Sequence, residues 1–405
     1  MIINLYHVDI LIFSIMLPLM LIFGSSHEEQ IFRAIVVSGC GLYAVVRYFL
    51  LKPVCHLLYR KYLLVWLGSF FSLYFFYGNF YMVDVATYGS NSSAMLLLLF
   101  LITVVLFLSP YSNDKLKLML EISFGVALFV YIAYIIYGMS SMTMEEMVLY
   151  RMGESVDGES IVKGNSNTVA LTISTLSVFL FYEVFDGTYK KIAVIPLVLS
   201  IGVILFTGSK AGLFSVLLYV FLYQCVCSKI NVKKILIMFL VIGIIICVIF
   251  NNDYLYLLLG ERVEDFLASL GLIDTPILGN STNERSEMYA IGIDMWFDAP
   301  VFGNGLGAFS AYSVFRTYSH NTYTEILSSM GIVGFITFYF LPVLILVKVV
   351  CYRNLSCVYL KVVLVSSIVG FFFDITSIKF LNYVSMLIII IEYIFVSNCE
   401  KDRIR

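Results

Sequence analysis

The sequence predicts an all-α integral membrane protein of about 12 transmembrane helices, with a helical extracytoplasmic loop domain between the ninth and the tenth. Three observations carry that reading. Hydrophobic residues make up 61% of the chain and charged ones 13%, against roughly 25% charged in soluble domains; mean hydropathy is +0.96. The apolar residues are gathered into runs of about 20, the length that crosses roughly 30 Å of hydrocarbon. Lysines and arginines collect in alternate connections, as expected for loops on the cytoplasmic side.

In chain order the runs lie near residues 8–24, 31–51, 62–79, 94–110, 119–138, 165–185, 191–207, 209–228, 234–250, 321–347, 358–375 and 380–397. With both termini inside, the inner connections carry Lys52, Arg60 and Lys61, then Lys115 and Lys117, Lys190 and Lys191, and Lys229, Lys233 and Lys234. Later inner segments add Lys348, Arg353 and Lys361, then Lys401, Arg403 and Arg405. The first run lacks a basic leader and a small-residue cleavage site, so it reads as an anchor. The domain plan is therefore residues 1–250 for spans one to nine, 251–319 for the outer loop domain, and 320–405 for the last three spans and the tail.

Composition also excludes function classes. The 25 basic and 27 acidic residues nearly balance, which argues against nucleic-acid binding. No cysteine falls in an outer loop, so no disulfide framework is implied. Charge inside the spans is sparse, with Glu121 and Glu183 near inner ends and Asp374 near an outer end. That argues against a flippase or secondary transporter, which places ionisable groups near the midplane.

Chemistry concentrates outside the membrane. One outer loop, about residues 139–164, is acidic. The longer one, from about Asn251 to Ser319, exceeds a plain connector and carries helical patterning. Ser281 and Glu284 form a capping box opening an amphipathic helix with Met288, Ile291, Met295 and Trp296 on one side. Arg285 on that helix is either an ion-pair partner of Glu284 or Glu287, or a free cation for a ligand. Gly303, Gly305 and Gly307 lack the strand, helix and spacing of a nucleotide loop, and read as a tight turn. Asp294 and Asp298 lie one turn apart, but two acids on a surface helix are commoner than a metal site, and no metal or other cofactor is expected.

Thr322 and Glu325 suggest a second capping box, which starts the tenth span just after His320. A helix N-terminus carries about +0.5 charge, which disfavours imidazolium and leaves His320 able to accept a proton. The bland alternative is a histidine at an interfacial helix end. Lys210, in Thr207-Gly208-Ser209-Lys210-Ala211-Gly212, opens the eighth span. It either snorkels to the surface or meets an anion.

Arg285, Tyr289, Gly292, Met295-Trp296, Pro300-Val301, Gly303 and Gly305, followed by Ser319-His320-Asn321, Tyr323, Glu325, Leu327, Gly331-Ile332 and Gly334, form a pattern that resembles the O-antigen ligase and polymerase superfamily. The segment 207–212 is similar to that family's shorter upstream motif, with Lys210 where arginine is frequent. The resemblance implies a GT-C-like helical fold and a membrane glycosyltransferase at the outer face of the bacterial cytoplasmic membrane. It implies a donor glycan carried on undecaprenyl diphosphate, and His320 as the base that activates the acceptor hydroxyl. Arg285 and Lys210 would hold the donor diphosphate, with Arg316, Asn321 and Tyr323 as further substrate-binding residues. Polymerase, with a second lipid-linked repeat unit as acceptor, is preferred to ligase, with the lipid A core as acceptor. A chain-length regulator in the membrane is a candidate partner.

Overall fold

The computed structural model describes residues 5–22, 27–51, 60–83, 91–140, 143, 166–178, 180–181, 190–207, 209–227, 232–261, 263–264, 268, 281–352, 358–375 and 382–404. The elements are helices: α1 (Leu5–Ile22), α2 (His27–Leu51), α3 (Lys61–Phe80), α4 (Asn91–Leu108), α5 (Asn113–Ser140), α6 (Ser166–Leu176), α7 (Lys190–Phe206), α8 (Lys210–Cys227) and α9 (Val232–Asn251). A short turn at Asp253–Leu255 runs into π-helical Tyr256–Gly260, and then come α10 (Ser281–Asp298), α11 (Ala308–Tyr312), α12 (Thr322–Cys351), α13 (Val358–Phe373) and α14 (Tyr383–Ile404). Among the described residues, β pairing is confined to an isolated parallel bridge between Met82 and Leu306.

Every predicted span overlaps one of these helices. Seven described stretches are long and apolar enough to cross a membrane: α1, Glu29–Leu50 of α2, α3, α4, α5, α12 and Tyr383–Lys401 of α14. Val194–Phe206, Lys210–Val226 and Leu360–Phe373 are shorter apolar helices. The described elements are thus helical and suited to a membrane, and the count of twelve is a proposal. Of the acidic loop near 139–164, Met139 and Ser140 end α5 and Thr143 is described, and the rest falls outside the described residues.

The chain divides into two compact units. The first takes Met1–Met16, Ser26–Leu118 and Asn283–Arg405. Within it α2 packs on α4, and α12 packs on α3, α13 and α14. Trp66, fully buried on α3, donates from Nε1 to the Phe338 carbonyl of α12 at 2.9 Å, and Phe70 fills the space beside it. The second unit takes Leu17–Ser25 and Met119–Thr282, with α8 packed on α6 and α7. Residues 283–319 thus pack within the first unit, together with the helices that follow them.

Two carboxylates inside helices, Asp9 and Glu392, escaped the sequence reading. Asp9 is fully buried against Arg47, with Arg47 Nε 2.5 Å from Asp9 Oδ2. The Tyr43 hydroxyl donates to Asp9 Oδ1 at 2.8 Å, and Tyr111 donates to Oδ2. Glu392 Oε2 accepts from the Ser367 hydroxyl at 3.0 Å. Charge at such positions persists only when paired, because removing one partner strands the other in a low-dielectric interior.

Candidate functional site

The start of α12 positions the site. Asn321 is its N-cap, in extended backbone (φ −146°, ψ 119°), and its Oδ1 accepts the amides of Tyr323 at 2.8 Å and Thr324 at 3.3 Å. The N-cap therefore lies one residue before the expected Thr322, and the expected capping box does not form. An Asn side chain reaches the second and third helical amides directly. Thr322, now first in the helix, donates its amide to the Asp374 carbonyl at 2.7 Å. Glu325, one place too far along for a box, turns back beyond the cap, where its Oε2 accepts the Ser319 amide at 2.6 Å.

These bonds fix His320 on both sides. Ser319 is fully buried; its hydroxyl donates to the Asn321 carbonyl at 3.0 Å and receives the Thr324 hydroxyl at 3.1 Å. Between the two pinned residues His320 adopts φ +54°, the left-handed region that a side chain rarely enters. Such conformations cost of order 1–3 kcal/mol and persist where the surroundings over-determine them. Here Glu325 and Asn321 do so. The imidazole is half-buried against the Tyr318 ring, centroid to centroid 4.2 Å.

Arg285 comes to this turn from α10. It is half-buried and near enough to act on His320, Tyr318 and Tyr289. Burial first, and the Arg285 charge second, push the His320 pKa down to about 4, so the ring is a neutral base at neutral pH. The Tyr318 hydroxyl is raised, chiefly by burial, with Arg285 opposing and Glu325 reinforcing the shift. One turn beyond Arg285, the Tyr289 hydroxyl donates to the Ile375 carbonyl at 2.7 Å and ties α10 to the chain just past α13. Gly292 lets α10 approach α12, since a Cβ there would lie 3.1 Å from Thr324 Cβ.

The glycine turn fixes the far end of α10, and its backbone is what the spacing predicted: Gly303, Gly305 and Gly307 all have positive φ. α12 breaks at Gly331 (φ 61°, ψ −161°), a conformation essentially reserved for glycine. The break frees the Ser328 and Ser329 carbonyls to accept the Asn304 and Gly305 amides at 2.8 and 2.9 Å. Beyond it, the Ile332 and Val333 amides donate to the Pro300 and Val301 carbonyls at 3.0 and 3.2 Å. The segment that carries Arg285 and the helix that follows His320 are thus laced together through backbone.

Asn321 gives its side-chain oxygen to the helix start. The Tyr323 hydroxyl donates to the Phe371 carbonyl at 2.8 Å, and its ring stacks on Tyr339. Arg316, exposed and also left-handed (φ +52°), donates from Nη1 to the Ala311 carbonyl of α11 at 2.9 Å. Lys210 lies in the second unit, half-buried in the first turn of α8 just after the N-cap Ser209, whose Oγ accepts the Gly212 amide at 3.1 Å. Asp294 and Asp298 are exposed on α10, and no group of three or more His, Cys, Asp or Glu is placed to hold a metal ion among the described residues.

Sequence reasoning missed the roles of Glu325, Ser319, Tyr289 and Tyr318. Glu325 invited a reading as a helix cap because its spacing from Thr322 matched one. Asp374, noted only for lying near a helix end, is buried and accepts the Tyr339 hydroxyl on Oδ2 at 3.0 Å.

A comparison with protein families adds a further observation. Residues 195–339 match the family described as O-antigen ligase. The matched stretch is less than half of the chain, and it contains Lys210, Arg285, Arg316, His320, Asn321 and Tyr323. No curated protein matches the chain. The similarity to the O-antigen ligase family supports the ligase and polymerase superfamily, and with it an enzymatic role in polysaccharide assembly at a membrane.

Proposed function

We propose that the protein is a membrane glycosyltransferase that polymerises oligosaccharide repeat units carried on undecaprenyl diphosphate, at the outer face of the cytoplasmic membrane. The observation that carries this is a half-buried histidine on a left-handed backbone between hydrogen-bonded Ser319 and Asn321, where burial and the Arg285 charge favour its neutral form. Glycosyl transfer from a lipid diphosphate asks for a base at the incoming hydroxyl and a cation at the departing anion. His320 takes the proton of the acceptor hydroxyl, and that oxygen bonds to the anomeric carbon of the donor. The anomeric carbon–oxygen bond to the diphosphate breaks, and undecaprenyl diphosphate leaves with its charge held by Arg285. Lys210 is assigned to the same donor on its chemistry, a cation at a helix N-terminus, which favours an anion nearby.

A second reading is the ligase, with a lipid A core as acceptor, and the family match is compatible with both. The two share donor and chemistry. Purified protein given a lipid-linked repeat unit alone separates them. Growth of a polymer on the lipid carrier supports the polymerase; product that forms only when a lipid A core acceptor is added replaces it with the ligase. Absence of any new glycosidic bond under either condition overturns both.

A further inference from the structure

Helix α10 has three sides rather than two. Met288 and Gly292 face inward and are buried. Glu284, Glu287, Asp294 and Asp298 make an exposed acidic stripe. Ser286, Ala290, Ile293 and Phe297 make another exposed stripe, spaced by helical turns, that passes from polar to small to large apolar toward the C-terminal end. Phe297 is 66% exposed, and the turn after it continues the series with exposed Val301 and Phe302, the latter at 64%. A water-facing helix has no physical reason for such a gradient, because large exposed apolar patches mark contact with something apolar.

The neighbouring surface identifies the occupant. The Tyr77 hydroxyl donates to the Phe302 carbonyl at 2.5 Å, which puts Phe302 beside the end of α3, where Phe76, Phe80 and Tyr81 are exposed. The Pro300 and Val301 carbonyls bind the Ile332 and Val333 amides, beside the exposed Ile332, Ile336 and Phe340 of α12. Both α3 and α12 are helices long and apolar enough to cross a membrane. The apolar stripe of α10 is thus continuous with two faces that lipid would cover, and the acids lie on a separate face. Trp296 sits at the junction, stacked on Phe297 and donating from Nε1 to the Pro300 carbonyl at 3.1 Å. Tryptophan is enriched at that depth of a bilayer.

We infer that the C-terminal half of α10 and the turn at 299–303 are seated in the lipid–water interface, with Ile293, Phe297, Val301 and Phe302 against hydrocarbon chains and the acidic stripe turned to water. This is the arrangement of an interfacial amphipathic helix, here fused to the element that carries Arg285. It does not depend on the reaction proposed above.

The test uses wild-type protein in phospholipid nanodiscs. A phospholipid with a photoreactive diazirine on its acyl chain should label 293–302 at a level within about twofold of the α12 peptide 332–340, while a water-soluble diazirine labels the acidic positions and spares Phe297 and Phe302. In a second measurement, the fluorescence difference between wild type and Trp296→Phe should be quenched by acyl-brominated phospholipid more strongly than by iodide. Phe297→Ser, at an exposed position, should weaken that lipid quenching. Acyl-chain labelling of 332–340 without 293–302 overturns the inference. So does protection of 293–302 from both probes, which would mean that protein covers the stripe.

Discussion

The two helix starts that carry the candidate chemistry are built alike and loaded differently. In the first unit Asn321 caps α12, and the proposed base, His320, stands before the cap on a left-handed backbone. In the second unit Ser209 caps α8, and the charged residue, Lys210, stands after the cap inside the first turn. Ser209 is braced in turn, donating to Asn167 Oδ1 at 2.7 Å, and the Gly212 position presses so closely on Ala170 that a side chain would collide. Each start offers the positive end of a helix. For His320 burial first and the Arg285 charge second keep the proton off, and for Lys210 the helix end adds positive charge to a cation, which favours an anion nearby. Under the proposed function, the first start serves proton transfer and the second charge binding.

The strongest way to break this contrast is to remove the base. His320→Ala should lower turnover by about 10²–10⁴-fold, with the protein still folded and inserted, because the turn is pinned by Ser319, Asn321 and Glu325 and not by the imidazole. Near-normal product from this variant, assayed on a lipid-linked donor, removes His320 from the mechanism. Next in size are the cations. Arg285→Ala and Lys210→Ala should each lose about 10- to 150-fold, the equivalent of a charge-assisted contact of roughly 1.5–3 kcal/mol. Arg285→Lys should lose more than Lys210→Arg, since only a guanidinium grips two oxygens. Wild-type donor affinity and turnover in both alanine variants ends the assignment of charge binding to these positions.

A smaller effect sharpens the account of the turn. Glu325→Ala strips the Ser319 amide of its buried acceptor, a loss of about 1–3 kcal/mol, and should reduce turnover about tenfold with little change in donor affinity. Glu325→Gln keeps an acceptor and should recover most of that rate. Equal rates in the alanine and glutamine variants would mean that the carboxylate does not position His320.

How much of this was legible in the sequence follows from the range of each interaction. Helices were readable because apolar runs and their bounding lysines are local signals, and the starts of α10 and α12 fell within a residue or so of expectation, while α12 runs on to Cys351, past the expected 347. The glycine turn was legible too, because three glycines at alternate positions tolerate positive φ where other residues strain. The break of α12 at Gly331 was not, since its reason lies about 30 residues away in the Pro300–Gly305 backbone that the freed groups bind. Nor was the task of Glu325, because a carboxylate reaching back past the cap follows the same spacing rule as one that stops at it. His320 drew notice through its place before a helix, whereas the left-handed backbone that holds it depends on Ser319 and Thr324 acting together. Asp9 paired with Arg47 joins helices whose sequences say nothing of each other.

The smallest expected effect is also the most discriminating, because it reads the coupling between α10 and the turn. His320 has a folded-state pKa near 4, against an ordinary value of 6.5. Its neutral form is therefore retained down to about pH 4 in the folded protein, and the unfolded chain takes up the proton first as pH falls. The stability linked to this group is complete above about pH 6.5 and is lost as pH drops toward 4. Activity that needs the neutral ring should hold its plateau through pH 6 and fall along an acid limb near pH 4. Burial is the larger cause of the low value and Arg285 the lesser, so Arg285→Ala should move that limb upward by no more than about one unit. Arg285→Lys keeps the charge and should leave the limb where it is, although its turnover is reduced. An acid limb near pH 6.5 in the wild type would mean that the ring is not desolvated as placed. A limb that stays near pH 4 in Arg285→Ala would instead remove Arg285 from the electrostatics of the base while leaving its role at the diphosphate open to the binding assay.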